Sequence, residues 1–203
     1  MNIRPYARRI QMSMVAGLVA VSLWPSPALA QGDHTHAMTA PRQPLTAAQQ
    51  KQVNALVSIV RDATATFQDP ANLPEGYKQL FGCVSGSGEE GAMGVHFVNT
   101  DLVFDGGELD KNQPEIVLYE PVPGGGFKIT GVDYLVIAAD WDAKHPKEPP
   151  QLEGQLFHFF DAPNRFGLDP FYTLHVWAWK DNPSGTFTNW NPTVSCEAFS
   201  GPN

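Results

Sequence analysis

This sequence predicts an α+β domain: an N-terminal amphipathic helix packed on a mainly antiparallel sheet, with a disulfide-pinned C-terminal coil. Three observations carry that prediction. Residues 46–67 repeat apolar side chains at helical spacing. After residue 92 the period changes to two, through stretches rich in β-branched and aromatic residues. No helical stretch recurs between those strands, so neighbours are expected to run antiparallel.

The helix is expected to open at Thr46. Gln49 follows three residues later, which is the capping-box pattern. Val53, Leu56, Val57, Val60, Ala63 and Phe67 then fall on one face, and Asp69-Pro70 ends the run. Residues 68–92 are expected to be a long irregular connection holding Cys83 and the Gly-Ser run of 85–91. Strands are predicted over 93–99, 115–121, 127–139, 155–160 and 171–180. Gly106-Gly107 and Gly124-Gly125-Gly126 mark turns, the second short enough for a hairpin. Residues 181–203 are rich in Pro, Asn and Gly and predict an ordered coil folded back over the sheet and held at Cys196.

Residues 1–30 have the pattern of a secretory signal peptide. Arg4, Arg8 and Arg9 precede an apolar run over 12–24 that is too short to span a bilayer, and Ala28-Leu29-Ala30 is a small-x-small cleavage site. The predicted organisation is a signal peptide over 1–30, a polar arm over 31–45 and one globular domain over 46–203. Cleavage after Ala30 would leave 173 of the 203 residues. The predicted location is secreted or periplasmic. The whole chain carries a net charge of −8, and losing three arginines and no acid takes the mature chain to −11. That acidity argues against nucleic acid or an anionic membrane surface as a partner. No later stretch is long and apolar enough to predict a membrane-spanning helix.

Cys83 and Cys196 are the only cysteines. In an oxidising compartment an isolated even pair predicts one bridge, with two buried thiols as the alternative. Neither has a Cys or His partner at zinc-like spacing.

Three strings resemble a known family. They are Gly91-Ala92-Met93-Gly94-Val95-His96-Phe97-Val98-Asn99, Pro114-Glu115-Ile116-Val117-Leu118-Tyr119-Glu120-Pro121, and Leu174-His175-Val176-Trp177-Ala178-Trp179-Lys180-Asp181-Asn182-Pro183-Ser184-Gly185. The last is followed by Trp190-Asn191-Pro192-Thr193-Val194-Ser195-Cys196. Together they resemble an uncharacterised family of secreted bacterial proteins over about residues 60–196. The resemblance implies export but brings no activity. This chain lacks, over 140–170, the PGHEPG stretch of relatives, so a site built there is not expected.

The residues able to carry chemistry are few. His96 and His175 each fall mid-strand, and Glu120 closes a strand of Ile116 and Leu118. Convergence of His96, His175 and Glu120 would suit a divalent transition metal such as zinc, copper or non-haem iron. Tyr119, Trp177 and Trp179 would then wall a ligand pocket. The bland alternative is half-buried histidines bonded to backbone and a Glu120 that caps a turn or pairs with Lys128. His158 is expected in packing or at the surface, and His145 in a loop. Asp101, Asp105, Glu108 and Asp110 lack EF-hand spacing and predict a solvated acidic turn. The segment Asp33-His34-Thr35-His36-Ala37-Met38 is expected to be a solvated tail able at most to bind copper weakly. There is no Gly-x-Ser-x-Gly elbow and no P-loop. The leading expectation is a secreted domain that binds a small molecule or metal. The alternatives are a metal-dependent or acid–base enzyme using His96, His175 and Glu120, and a structural envelope protein without a ligand.

Overall fold

The first element of the computed structural model is helix α1, Ala47–Ala63. The structure describes residues 44–201; the predicted signal peptide, most of the arm and the Asp33–Met38 segment lie outside the described residues. At the start of α1, Thr46 Oγ1 accepts from Gln49 N at 3.2 Å while Gln49 Oε1 accepts from Thr46 N at 2.9 Å. Two otherwise orphaned donors are thereby satisfied.

The main sheet has six strands, and every pairing is antiparallel. In chain order they are β1 (Tyr77–Ser85), β2 (Ala92–Asn99), β3 (Ile116–Pro121), β4 (Phe127–Ile137), β7 (His158–Phe160) and β8 (Phe171–Val176). Their order across the sheet is β1-β2-β3-β4-β8-β7. A separate hairpin joins β5 (Gln151–Leu152) to β6 (Gln155–Leu156). Short helices α2 (Thr100–Val103) and α3 (Ala138–Lys144) follow β2 and β4.

Four sequence expectations need correction. Residues 68–92 are not merely a connection, because β1 lies within them. It is an edge strand with three register shifts against β2, so its side chains never settle into clean alternation. The strand expected over 127–139 stops at Ile137, where α3 begins. The strand expected over 155–160 is broken into β6 and β7. The strand expected over 171–180 stops at Val176, where Ala178 N turns back to bond Val176 O at 2.8 Å.

Register sorts the sheet into two faces. Val132, Tyr134, Leu174 and Val176 pack with Leu56 and Val60 of α1. Val117, Tyr119 and Ile129 extend that side into a cluster with Phe67, Leu73 and Phe97. On the other side Val98, Ile116, Leu118, Leu135, Ile137 and Phe171 pack with Val103 of α2 and with Phe81, Phe160, Phe166 and Leu168. The sheet therefore has an apolar layer on both sides, and the second is where the cavity described below lies.

Cys83 of β1 is bonded to Cys196 of the C-terminal coil across a sequence separation of 113. The coil is held further by an isolated bridge between Ala92 and Asn191. Asn191 is wholly buried, and its Oδ1 accepts from Thr193 N at 3.0 Å.

Candidate functional site

Strand β4 carries one carboxylate, Asp133, through an otherwise apolar stretch, and the sheet register places it directly opposite His175 of β8. On its other side Asp133 pairs with Ile116 of β3, and Ile116 pairs with Val98 of β2. His96 sits two residues before Val98, opposite Leu118. Because side chains two apart share a face, His96, Asp133, Thr173 and His175 all belong to the side away from α1.

These four line one cavity of about 100 Å³. Its remaining walls are apolar apart from Thr100 and include Val98, Ile116, Leu135, Phe166 and Phe171. Leu80 and Phe104 also line it and are 50% and 60% exposed, so they stand at its edge toward solvent. The backbones of His96 and His175 lie three strand spacings apart across the sheet, about 14 Å at ~4.8 Å per spacing, and are offset by two residues along the strands.

His96 is buried, and its Nδ1 lies 3.1 Å from the carbonyl oxygen of Gly94. That contact assigns the proton to Nδ1 and leaves a lone pair on Nε2. Glycine is required two residues earlier: Gly94 has φ +97°, and a Cβ there would collide with the carbonyl oxygen of Tyr119. Burial pulls the His96 pKa down to about 4; the Gly94 carbonyl opposes the shift and the Arg165 charge adds to it.

His175 is 2% exposed, and neither Nδ1 nor Nε2 has a hydrogen-bond partner among the described residues. Its Nδ1 approaches Asp133 Oδ1 to 3.3 Å without hydrogen-bond geometry. Burial lowers the His175 pKa well below the ordinary imidazole value, with His96 and His158 adding to the effect. Thr173 Oγ1 donates to Asp133 Oδ1. Burial nonetheless pushes Asp133 up to about 7, against the lowering pull of Thr173 and of Leu174 N–H. A second buried carboxyl, Glu115, lies just before β3, and its Oε2 accepts from Leu135 N at 3.0 Å. It caps the β4 donor left unpaired where β3 begins, and burial raises its pKa too. The cavity thus offers uncharged hydrogen-bonding groups in apolar walls.

Glu120 does not join the histidines. Its Oε2 pairs with Lys180 Nζ at 2.5 Å and its Oε1 accepts from Ser195 N at 3.0 Å, which ties the C-terminal coil to β3. It lines a separate recess with Pro121, Ser195 and Glu197. The expected ligand set of His96, His175 and Glu120 is therefore not formed, and no three His, Cys, Asp or Glu side chains among the described residues are grouped to hold a metal ion.

The expected wall residues are also placed elsewhere. Tyr119 is wholly buried toward α1, its hydroxyl donating to Phe67 O at 2.6 Å. Trp177 packs with Ala92 and Val194 and donates from Nε1 to Thr188 O at 2.6 Å. Trp179 donates to Thr64 Oγ1 at 3.0 Å. Trp177 and Trp179 lie beyond Val176, where β8 and its alternation end. Of the remaining histidines, His158 is exposed on β7 and His145 stacks on Trp141 with centroids 4.1 Å apart. In the acidic turn, Asp105 Oδ1 accepts from Gly107 N and Glu108 N, and Glu108 pairs with Lys144.

Asp133 and Thr173 were not singled out from sequence. The usable signal was Asp133 itself, a lone carboxylate inside Ile129–Ile137, because a buried carboxyl requires a partner. No family model, curated protein or solved structure matches this chain.

Proposed function

We propose that this protein is an exported binding protein for a small organic molecule, held in the cavity of His96, Asp133, Thr173 and His175. One observation carries the reading: His175 lines that cavity, and both its ring nitrogens are buried with no hydrogen-bond partner among the described residues. A buried polar group left unpaired costs about 1–3 kcal/mol, and a ligand that hydrogen-bonds it recovers that cost. A purely structural protein would gain stability from an apolar residue there, so the reading without a ligand leaves His175 unexplained. Export is supported by the predicted signal peptide, by the resemblance to secreted bacterial proteins and by compatibility with the Cys83–Cys196 bond. The test is native mass spectrometry and ligand-observed NMR of periplasmically produced mature protein against molecules of about 4–8 non-hydrogen atoms, a size matched to the cavity. Saturable binding lost in His175→Phe supports the reading. No binding by any member of such a set would sink it.

A second reading is acid–base catalysis on the bound molecule. Asp133 is held up to about 7 while His96 is held down to about 4, which places a proton donor and a proton acceptor in one cavity. Asp133, not Glu120, would be the carboxyl involved. Chemical change of the bound molecule over time, abolished in Asp133→Asn, is the result this reading requires.

A further inference from the structure

The charge state of the cavity limits what it can hold. Its polar groups are two imidazoles, one carboxyl and the Thr173 hydroxyl, with Thr100 also among the lining residues. The charged side chains nearest in influence do not supply a fixed countercharge inside. Arg165 is exposed, donates from a guanidinium nitrogen to Ser85 O at 2.9 Å and lies 5.8 Å over the Trp190 ring. His158 is exposed on β7. Glu115 is occupied with Leu135 N. An anionic ligand would therefore enter apolar walls with no buried cation among the described residues to meet it, and a cation would find a carboxyl that burial keeps from ionising until about pH 7. Isolated charge in such surroundings is far more costly than a neutral polar group.

We infer, resting on the binding reading above, that the cavity selects a small uncharged molecule bearing a hydroxyl group, which hydrogen-bonds His175. A hydroxyl both donates and accepts, so it can satisfy either tautomer of an imidazole that has no protein partner. The apolar walls supply the rest of the contact. The volume of about 100 Å³ restricts the body of the molecule to a few carbon atoms. For scale, an apolar cavity of about 150 Å³ accommodates benzene.

The experiment compares three molecules on one carbon skeleton: isobutanol, isobutylamine and isobutyrate. Each is titrated at pH 6.0, below the Asp133 pKa of about 7, into mature, disulfide-intact protein carrying ¹⁵N-labelled histidine. The ring nitrogens of His175 are followed by long-range ¹H–¹⁵N correlation, a readout that needs no variant. The expected result is a saturable shift of a His175 ring nitrogen with isobutanol, and affinities at least about tenfold weaker for the amine and the carboxylate. His175→Phe should remove the preference for the alcohol, and circular dichroism should show that this variant is folded. Equal or tighter binding of isobutyrate or isobutylamine overturns the neutral-ligand inference while leaving the binding proposal intact. Isobutanol binding that leaves the His175 nitrogens unmoved overturns the hydroxyl contact. Failure of all three, with failure of the wider molecule set, overturns both.

Discussion

His175 Nδ1 stands 3.3 Å from Asp133 Oδ1 across the β4–β8 ladder, yet neither ring nitrogen of His175 is hydrogen-bonded. The separation is that of an ion pair, but the electrostatics are not. Pairing would raise the imidazole pKa and lower that of the carboxyl, and both groups shift the other way because burial dominates. The two are best described as neutral neighbours below about pH 7. Thr173 holds the carboxyl in place, and His175 lines the cavity with both ring nitrogens unpartnered among the described residues.

Removing the Thr173 hydroxyl should therefore release Asp133. In Thr173→Val the carboxyl loses a donor that stabilises its ionised form, so its pKa should rise above about 7. Stability should fall by about 1–3 kcal/mol, the usual cost of stranding a buried polar group. Carboxyl ¹³C titration reads the first effect and denaturant unfolding the second. An unchanged or lower Asp133 pKa would contradict this account.

The His96 contribution has a defined pH window. Its pKa falls from 6.5 to about 4 on folding, so between those values the unfolded chain binds more protons than the folded one. Stability from the neutral ring is present above pH 6.5 and is lost as pH falls toward 4. His96→Phe abolishes that loss. Its destabilisation relative to wild type should be larger at pH 7 than at pH 4.5, by about 2–3 kcal/mol. Paired unfolding curves at the two pH values check the sign, which would reverse if His96 were charged in the folded state.

The disulfide closes a sequence separation of 113 residues and pins the coil to the edge strand β1. Cys83→Ala or Cys196→Ala should cost about 2–5 kcal/mol. Thiol titration of denatured, unreduced mature protein should find no free thiol. Two free thiols per chain would show that the bond does not form.

Leu56 is wholly buried between α1 and the sheet, whereas Gln50 is exposed and its side-chain amide donates to Asn54 Oδ1 along its own helix. Leu56→Ala should cost about 2–5 kcal/mol and Gln50→Ala less than about 0.5 kcal/mol. Comparable losses at the two positions would mean that the helix does not dock through that face.

The α+β class, the antiparallel sheet and the pairing of Cys83 with Cys196 were legible in the sequence, because each rests on local or counting information. Period-two runs such as Ile116–Pro121 and Phe127–Ile137 mark their own strands, and two lone cysteines allow one intramolecular pairing. Strand β1 was not legible, since its bulges break the pattern that sequence reading depends on. The shared cavity of His96 and His175 was anticipated from alternation, which is a local property. Which third residue accompanies them was decided only by register, a relation between strands far apart in sequence. Glu120 had the right chemistry and sits on β3, but Lys180 and the backbone of Ser195 claim it. Asp133 takes the place beside His175 because β4 and β8 align them residue for residue, 42 positions apart in a chain whose local pattern says nothing of that distance. Trp177 and Trp179 were lost from the pocket because β8 ends at Val176. Local periodicity cannot reveal where a strand loses its partner; tertiary pairing does, because the backbone bonds that sustain alternation are supplied by another strand.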